Sequence, residues 1–277
     1  MSDPAAPTLG KVGMTTVLAI SSHVARGHVG LAATVPALQR LGHEVWALPT
    51  VLLASRPGLG SLARHDLPSP DLAAMLGALE ADGCFGDLGA VLTGYFPSPA
   101  AVTVAADAVR RIKQAVPNIP VLVDPILGDS GRLYVAEATA AAIRDALLPL
   151  ATIATPNLFE LQWLAGVAED GGADVAAIAR RLGPRTVVVT SAAETRDGVA
   201  TLAVSGTVVV ERTLPRRRAI PNGAGDLFAS LLLGHLLSHP DTSQDWVPAL
   251  DAGLADLDRV LAASAGRDVL ALSALNG

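Results

Sequence analysis

Gly223, Ala224, Gly225 and Asp226 stand together at the opening of an apolar helical run, in the segment PNGAGDLFASLLLGHLL. Small residues let a ligand come close to the main chain, and the first N–H groups of a helix present the positive end of its dipole to an anion. A carboxylate is a poor neighbour for an anion unless it takes part in the chemistry. Accepting a proton from a hydroxyl, while the adjacent amides stabilise a transferring phosphoryl group, would give Asp226 that part. The same four residues also suit an ordinary glycine-rich turn with Asp in a favourable first-turn position.

Three further segments place polar groups near the ends of apolar runs. In SSHVARGHVG, Ser22 is expected just past the first strand with a hydroxyl able to bond a substrate ring, and Gly27 and Gly30 allow close packing. His23 and His28 read as loop or packing residues, because no third metal ligand accompanies them. No G-x-G-x-x-G dinucleotide fingerprint is present. VDPILGD and TPNLFE put Asp124, Asp129, Asn157 and Glu160 on the same expected edge. Hard oxygen ligands on loops suit Mg²⁺ held with substrate phosphates. Asn157 with Glu160 three residues on equally fits a helix capping box.

These residues need a scaffold, and the chain supplies a regular one. TVLAIS, EVWALPTV, GAVLTG, IPVLVDP, ATIATP and RTVVVTS read as strands. Helical patterns separate them: LAATVPALQRL, one opened by Ser69-Pro70-Asp71, one opened by Ser98-Pro99, one over residues 137–148 and one capped by Asn157. Such an order implies an α/β fold with a mainly parallel central sheet and helices on both faces. After Ser191 the pattern changes to an antiparallel hairpin, VATLAVSG and TVVVERTL, expected to turn at Ser205-Gly206, followed by helices over residues 224–237 and 246–263. Ligands of parallel sheets bind beyond the carboxyl ends of the strands, where the punctuation falls.

Composition narrows the function classes. The 277 residues are 51% hydrophobic and 17% charged with a net charge of −6, which argues against disorder, and only 3% are aromatic, which suits helices on a Val-rich sheet. No repeated period suggests a solenoid, and no apolar stretch is long enough to span a membrane. The mild acidity offers no basic stripe for nucleic acid; Arg216-Arg217-Arg218 is the one basic cluster, in an expected loop. Cys84 is the single cysteine, which forbids an internal disulfide and makes a reducing cytoplasm the natural compartment. Residues 1–13 read as a flexible leader without a signal-peptide pattern, with Met14 a candidate start, and residues 14–277 as a single domain.

Taken in order, SSHVARGHVG, LTGY, VDPILGD, TPNLFE, VVVTS and GAGDLFASLLL resemble the pyridoxal kinases of the ribokinase-like superfamily, from about Thr16 to the helix after Asp226. The resemblance implies a ribokinase-like three-layer fold and transfer of the γ-phosphoryl group of ATP to the 5′-hydroxymethyl group of pyridoxal, pyridoxine or pyridoxamine. It makes Asp226 the base and the amides of Gly223, Ala224 and Gly225 an anion hole. Asp124, Asp129 and Glu160 fall at positions around the ATP phosphates and Mg²⁺, with Thr155 and Asn157 on the same phosphate-side loop. Thr190 and Ser191 match the nucleotide-contacting pair, and Ser22 and Tyr95 match residues that hold the pyridine ring. A homodimer and an activating K⁺ are implied as well.

Departures from the family pattern bear on the acceptor. Where the family carries Ser-Asn-His-Thr after the second strand, this chain has Ala54-Ser55-Arg56-Pro57. Arginine is larger and permanently charged, so Arg56 becomes a candidate contact to a phenolate or phosphate oxygen. Ala224 stands where Thr is usual, and residues 192–197 make a short nucleotide-covering loop. A kinase of hydroxymethylpyrimidine or another small alcohol, and a vitamer- or nucleotide-binding protein of low turnover, are the competing readings.

Overall fold

Side-chain alternation along short Val- and Leu-rich strands decides the layering. The computed structural model describes residues 14–56, 58, 63–167, 174–196, 198–238 and 246–276; the expected leader, Pro57 and Asp197 lie outside the described residues. Strands β1 (Thr16–Arg26), β2 (Glu44–Ser55), β3 (Arg64–Asp66), β4 (Leu88–Thr93), β5 (Val121–Val123), β8 (Ile153–Ala154), β9 (Thr186–Glu194), β10 (Gly198–Ser205) and β11 (Val208–Pro215) form one sheet in the order β11-β10-β9-β8-β5-β4-β1-β2-β3. The pairings from β2 through β9 are parallel, and antiparallel partners close both edges. A separate two-stranded ribbon joins β6 (Gly128–Asp129) to β7 (Arg132–Leu133).

Neighbouring residues of one strand serve opposite cores. Leu18, Val91, Val121 and Val123 pack under α2 (Ser69–Ala81), α3 (Pro99–Ala115) and α4 (Glu137–Ala142). Val17, Leu92, Leu122 and Val188 face the other way, toward α1 (Leu31–Arg40), α7 (Ala224–Ser238) and α8 (Val247–Ser264). Val187 and Val189 meet α5 (Leu158–Ala165) and α6 (Val175–Arg181). The result is the expected three layers, and no helix among the described residues is long and apolar enough to cross a membrane.

Several local expectations change. β1 and β2 run on to 11 and 12 residues, so Ser22 lies inside β1 rather than beyond it. The register slips between Ser21 and Ser22, leaving Thr50 as the extra residue of β2 next to Pro49, which lacks an N–H for the ladder. Ser69 belongs to α2 and does not cap it, whereas Ser98 caps α3 by accepting from the Ala101 N–H at 3.3 Å. The helix expected over residues 137–148 gives way to a π turn at Ile143–Leu147 and a 3₁₀ turn holding Pro149. Helix α6 has no counterpart in the sequence reading, although its cap was legible: Asp174 Oδ1 accepts from the Ala176 and Ala177 N–H groups at 3.0 and 3.2 Å. Ser205 pairs with Val208, which moves the hairpin turn to Gly206-Thr207.

Candidate active site

The parallel strands β1, β4, β5, β8 and β9 end on one edge, and the polar residues that follow them meet there. Asp226 comes to the same place from the first turn of α7. Its carboxyl accepts the N–H groups of Gly30 and of Asp226 itself; burial outweighs both and pushes its pKa up to about 6. Two glycines make this approach feasible. Gly223 has φ +107°, and a Cβ there would run into the His28 carbonyl; a Cβ on Gly30, at φ +54°, would run into Ser22. Helix α7 is set against α1 by the buried Ser230 hydroxyl, which donates to the Asp226 carbonyl at 2.7 Å and hydrogen-bonds the Thr34 hydroxyl at 3.0 Å.

Asp124 and Glu160 form the acidic floor. Asp124 Oδ1 accepts the Thr155 hydroxyl at 2.9 Å, and the Asp124 N–H donates to the Thr93 carbonyl at 2.9 Å. Burial, then the charges of Glu160 and Asp226, hold the Asp124 carboxyl well above the usual carboxylate range. Glu160 is raised to about 8, again by burial first, against backbone N–H donors that favour its ionised form. Both of its oxygens are engaged: Oε1 accepts from Leu127 and Gly128, at 2.9 and 3.3 Å, and Oε2 from the Asn157 N–H at 2.9 Å. Asn157 completes the capping box by accepting the Glu160 N–H at 2.8 Å, and its Nδ2 donates to the Gly128 carbonyl at 2.8 Å. The box therefore ties the strand-following loops together, with Thr190 bridged to Asn157 at its side.

The three acids expected around a metal do not form one cluster. Asp129 is exposed on the ribbon and accepts the Ser130 N–H at 2.7 Å, and no group of three His, Cys, Asp or Glu among the described residues is placed to hold a metal ion. A metal that arrives with phosphates needs only one or two carboxylates, and the charge-crowded pair of Asp124 and Glu160 fits that requirement. Asp129 instead lines a cleft of about 410 Å³ with Ser130, Asn157, Phe159, Ser191 and Glu194. Asp226 is outside its lining. Ser130 and Ser191 both hold left-handed backbone there, at φ 51° and 49°, a conformation uncommon for residues with a Cβ.

On the other flank, Ser22 is buried against Gly30. Tyr95 is half-buried and anchored at both ends of its backbone: its N–H donates to Ser21 Oγ at 3.1 Å, and its carbonyl accepts the Thr50 hydroxyl at 2.7 Å. Arg64 lies over the Tyr95 ring. Sequence reasoning missed Arg64, since no local signal marks an edge-strand arginine as a site residue. It also missed the Gly30 N–H as a partner of Asp226, though it noted the glycine. Arg56 turns its guanidinium to the backbone carbonyl of Asp268.

A family model described as phosphomethylpyrimidine kinase matches residues 25–248. A pyridoxal kinase of Corynebacterium diphtheriae is 35% identical over 82% of this chain and 83% of its own length. One of Granulibacter bethesdensis is 38% identical, covering 82% and 84%. Among solved structures, pyridoxal kinase from Leishmania donovani in complex with ADP and pyridoxamine superposes with a TM-score of 0.82 at 28% identity, covering 94% of this chain and 91% of that one.

Proposed function

The chain belongs to the phosphomethylpyrimidine kinase family and is a pyridoxal kinase-like phosphotransferase with an alcohol group as acceptor; from that premise we propose that it moves the γ-phosphoryl group of ATP onto the 5′-hydroxymethyl oxygen of pyridoxal, pyridoxine or pyridoxamine. The observation that carries this reading is the Asp226 carboxyl, held by the Gly30 N–H at the head of α7 with a pKa of about 6, where a base can work near neutral pH. Asp226 takes the hydroxyl proton as the oxygen bonds the γ-phosphorus and the bond from that phosphorus to the β-phosphate oxygen breaks, releasing ADP. The N–H groups of Gly223, Ala224 and Gly225 face the charge on the transferring group.

In this proposal Ser22 and Tyr95 hold the acceptor ring, and Arg56 steadies that rim. The Asp129 and Ser191 cleft takes the nucleotide, with Thr155, Asn157 and Thr190 shaping its phosphate side. Mg²⁺ bound with the nucleotide would supply charge neutralisation. Asp124 is the carboxylate to face it, because Glu160 spends both oxygens on backbone N–H groups and acts through its charge or through water. Residues 14–277 act as one kinase domain, a reading supported by the single nine-stranded sheet. Family resemblance supports a homodimer and activation by K⁺, and the lone Cys84 supports a cytoplasmic setting.

The purified protein tests the proposal through ATP consumption across B6 vitamers and pyrimidine alcohols. Turnover of a vitamer is expected. The Arg56 departure and the family description favour hydroxymethylpyrimidine as the second reading, and exclusive turnover of that alcohol would replace the first. Binding without any turnover would return the chain to a vitamer- or nucleotide-binding role.

A further inference from the structure

Arg64 begins the short edge strand β3, paired with Leu53 of β2, while Asp66 pairs with Val51. Residues two apart on a strand share a face, and the guanidinium lies along that face in a forked pair with Asp66, Nε to Oδ1 at 2.6 Å and Nη2 to Oδ2 at 3.2 Å. The same Nη2 is 3.4 Å from the Tyr95 hydroxyl, and Arg64 Cζ is 5.9 Å from the centre of the Tyr95 ring. The Tyr95 main chain is already pinned to Ser21 and Thr50. What remains adjustable is the ring, whose outer torsion is intrinsically broad.

We propose that Arg64, steadied by Asp66, is a positioning residue that fixes the Tyr95 ring and so sets how tightly the site holds a planar heteroaromatic acceptor. The proposal rests on Tyr95 as an acceptor-side residue. A guanidinium held at two points loses less freedom in reaching a third partner than a lone arginine would, and a cation against an aromatic face adds attraction that a neutral side chain lacks. Arg64 acts only through Tyr95 and makes no contact with the nucleotide cleft.

The test is a double-mutant cycle on the full chain, read both as KM and as equilibrium binding of pyridoxal followed by its own absorbance. Arg64→Ala is expected to raise the KM and Kd for pyridoxal about three- to tenfold, with the KM for ATP and the thermal midpoint unchanged. Arg64→Lys, which keeps the charge and loses the fork, falls between. In a Tyr95→Ala background the Arg64→Ala change shrinks to less than twofold. An unchanged Kd for Arg64→Ala, or a full effect persisting without Tyr95, overturns the inference. Vitamer binding without turnover in the wild type fails the kinase reading while leaving the cycle readable through Kd. No vitamer binding at all overturns the acceptor-side reading of Tyr95 and this inference with it.

Discussion

Arg56 donates both Nε and Nη2 to a single acceptor, the backbone carbonyl of Asp268, at 3.0 and 2.8 Å. The Asp268 carboxylate meets Arg26 from the end of β1 at 3.7 Å, and two residues earlier the Gly266 N–H reaches the Ala219 carbonyl at 3.4 Å. The segment after α8 is thus clasped between the ends of β1 and β2 and the loop leading to Gly223. Arg56→Ala is expected to raise the acceptor KM several-fold and leave the KM for ATP nearly unchanged. Kinetics identical to wild type would show that the clasp is dispensable for acceptor binding.

Asp226→Asn keeps the shape of the side chain and removes its ability to accept a proton. Turnover should fall by a factor of about 10² to 10⁴, while ATP binding, measured by titration calorimetry, stays close to wild type. A variant that retains near wild-type turnover with pyridoxal would remove Asp226 from the role of base.

The raised pKa of Asp226 also fixes two pH dependences. The kcat/KM of the wild type should decline as pH falls through about 6, where the carboxyl becomes protonated. For stability, the folded value of about 6 exceeds the ordinary 3.8, so folding is favoured by the protonated acid, and that contribution is lost as pH rises through 6. Asp226→Asn should therefore melt higher than wild type at pH 8, by roughly a few degrees, with the gap closing toward pH 4. Melting curves at the two pH values check the sign, and a lower midpoint for the variant at pH 8 would contradict it.

Activity should require Mg²⁺ or Mn²⁺, and excess chelator should abolish it without altering far-ultraviolet circular dichroism, because the ion is held chiefly with substrate phosphates. Asp124→Ala should weaken metal-nucleotide use more than vitamer binding. Full turnover in chelator would rule out the role assigned to Asp124.

Ser191 separates strain from contact. At φ 49° a serine carries a backbone cost of about 1 kcal/mol that glycine avoids. Ser191→Gly and Ser191→Ala should raise the KM for ATP alike if the hydroxyl touches nucleotide, whereas only the alanine variant keeps the strained backbone. An unchanged KM in both would take the hydroxyl out of the nucleotide site.

What the sequence determined by itself was local in character. Short, near-continuous apolar runs between capped helices specify a parallel sheet with two covered faces, because burial pattern and cap chemistry act over a few residues. The Ser98 cap, the Asn157–Glu160 box and the glycines around Asp226 were readable for that reason. The helix over residues 143–148 was misread because Pro149 breaks the ladder just beyond the apolar pattern. Tertiary structure alone decided which partners those local pieces meet. The Gly30 N–H reaches Asp226 from the opposite end of the chain, Arg64 meets Tyr95 across 31 residues, and Arg56 finds the Asp268 carbonyl across 212. Glu160 likewise became a loop-binding acid rather than an open ligand only when Leu127 and Gly128 were brought to it. Such contacts depend on how the strands are ordered and where their registers slip, and neither leaves a periodic trace in the residues that finally touch.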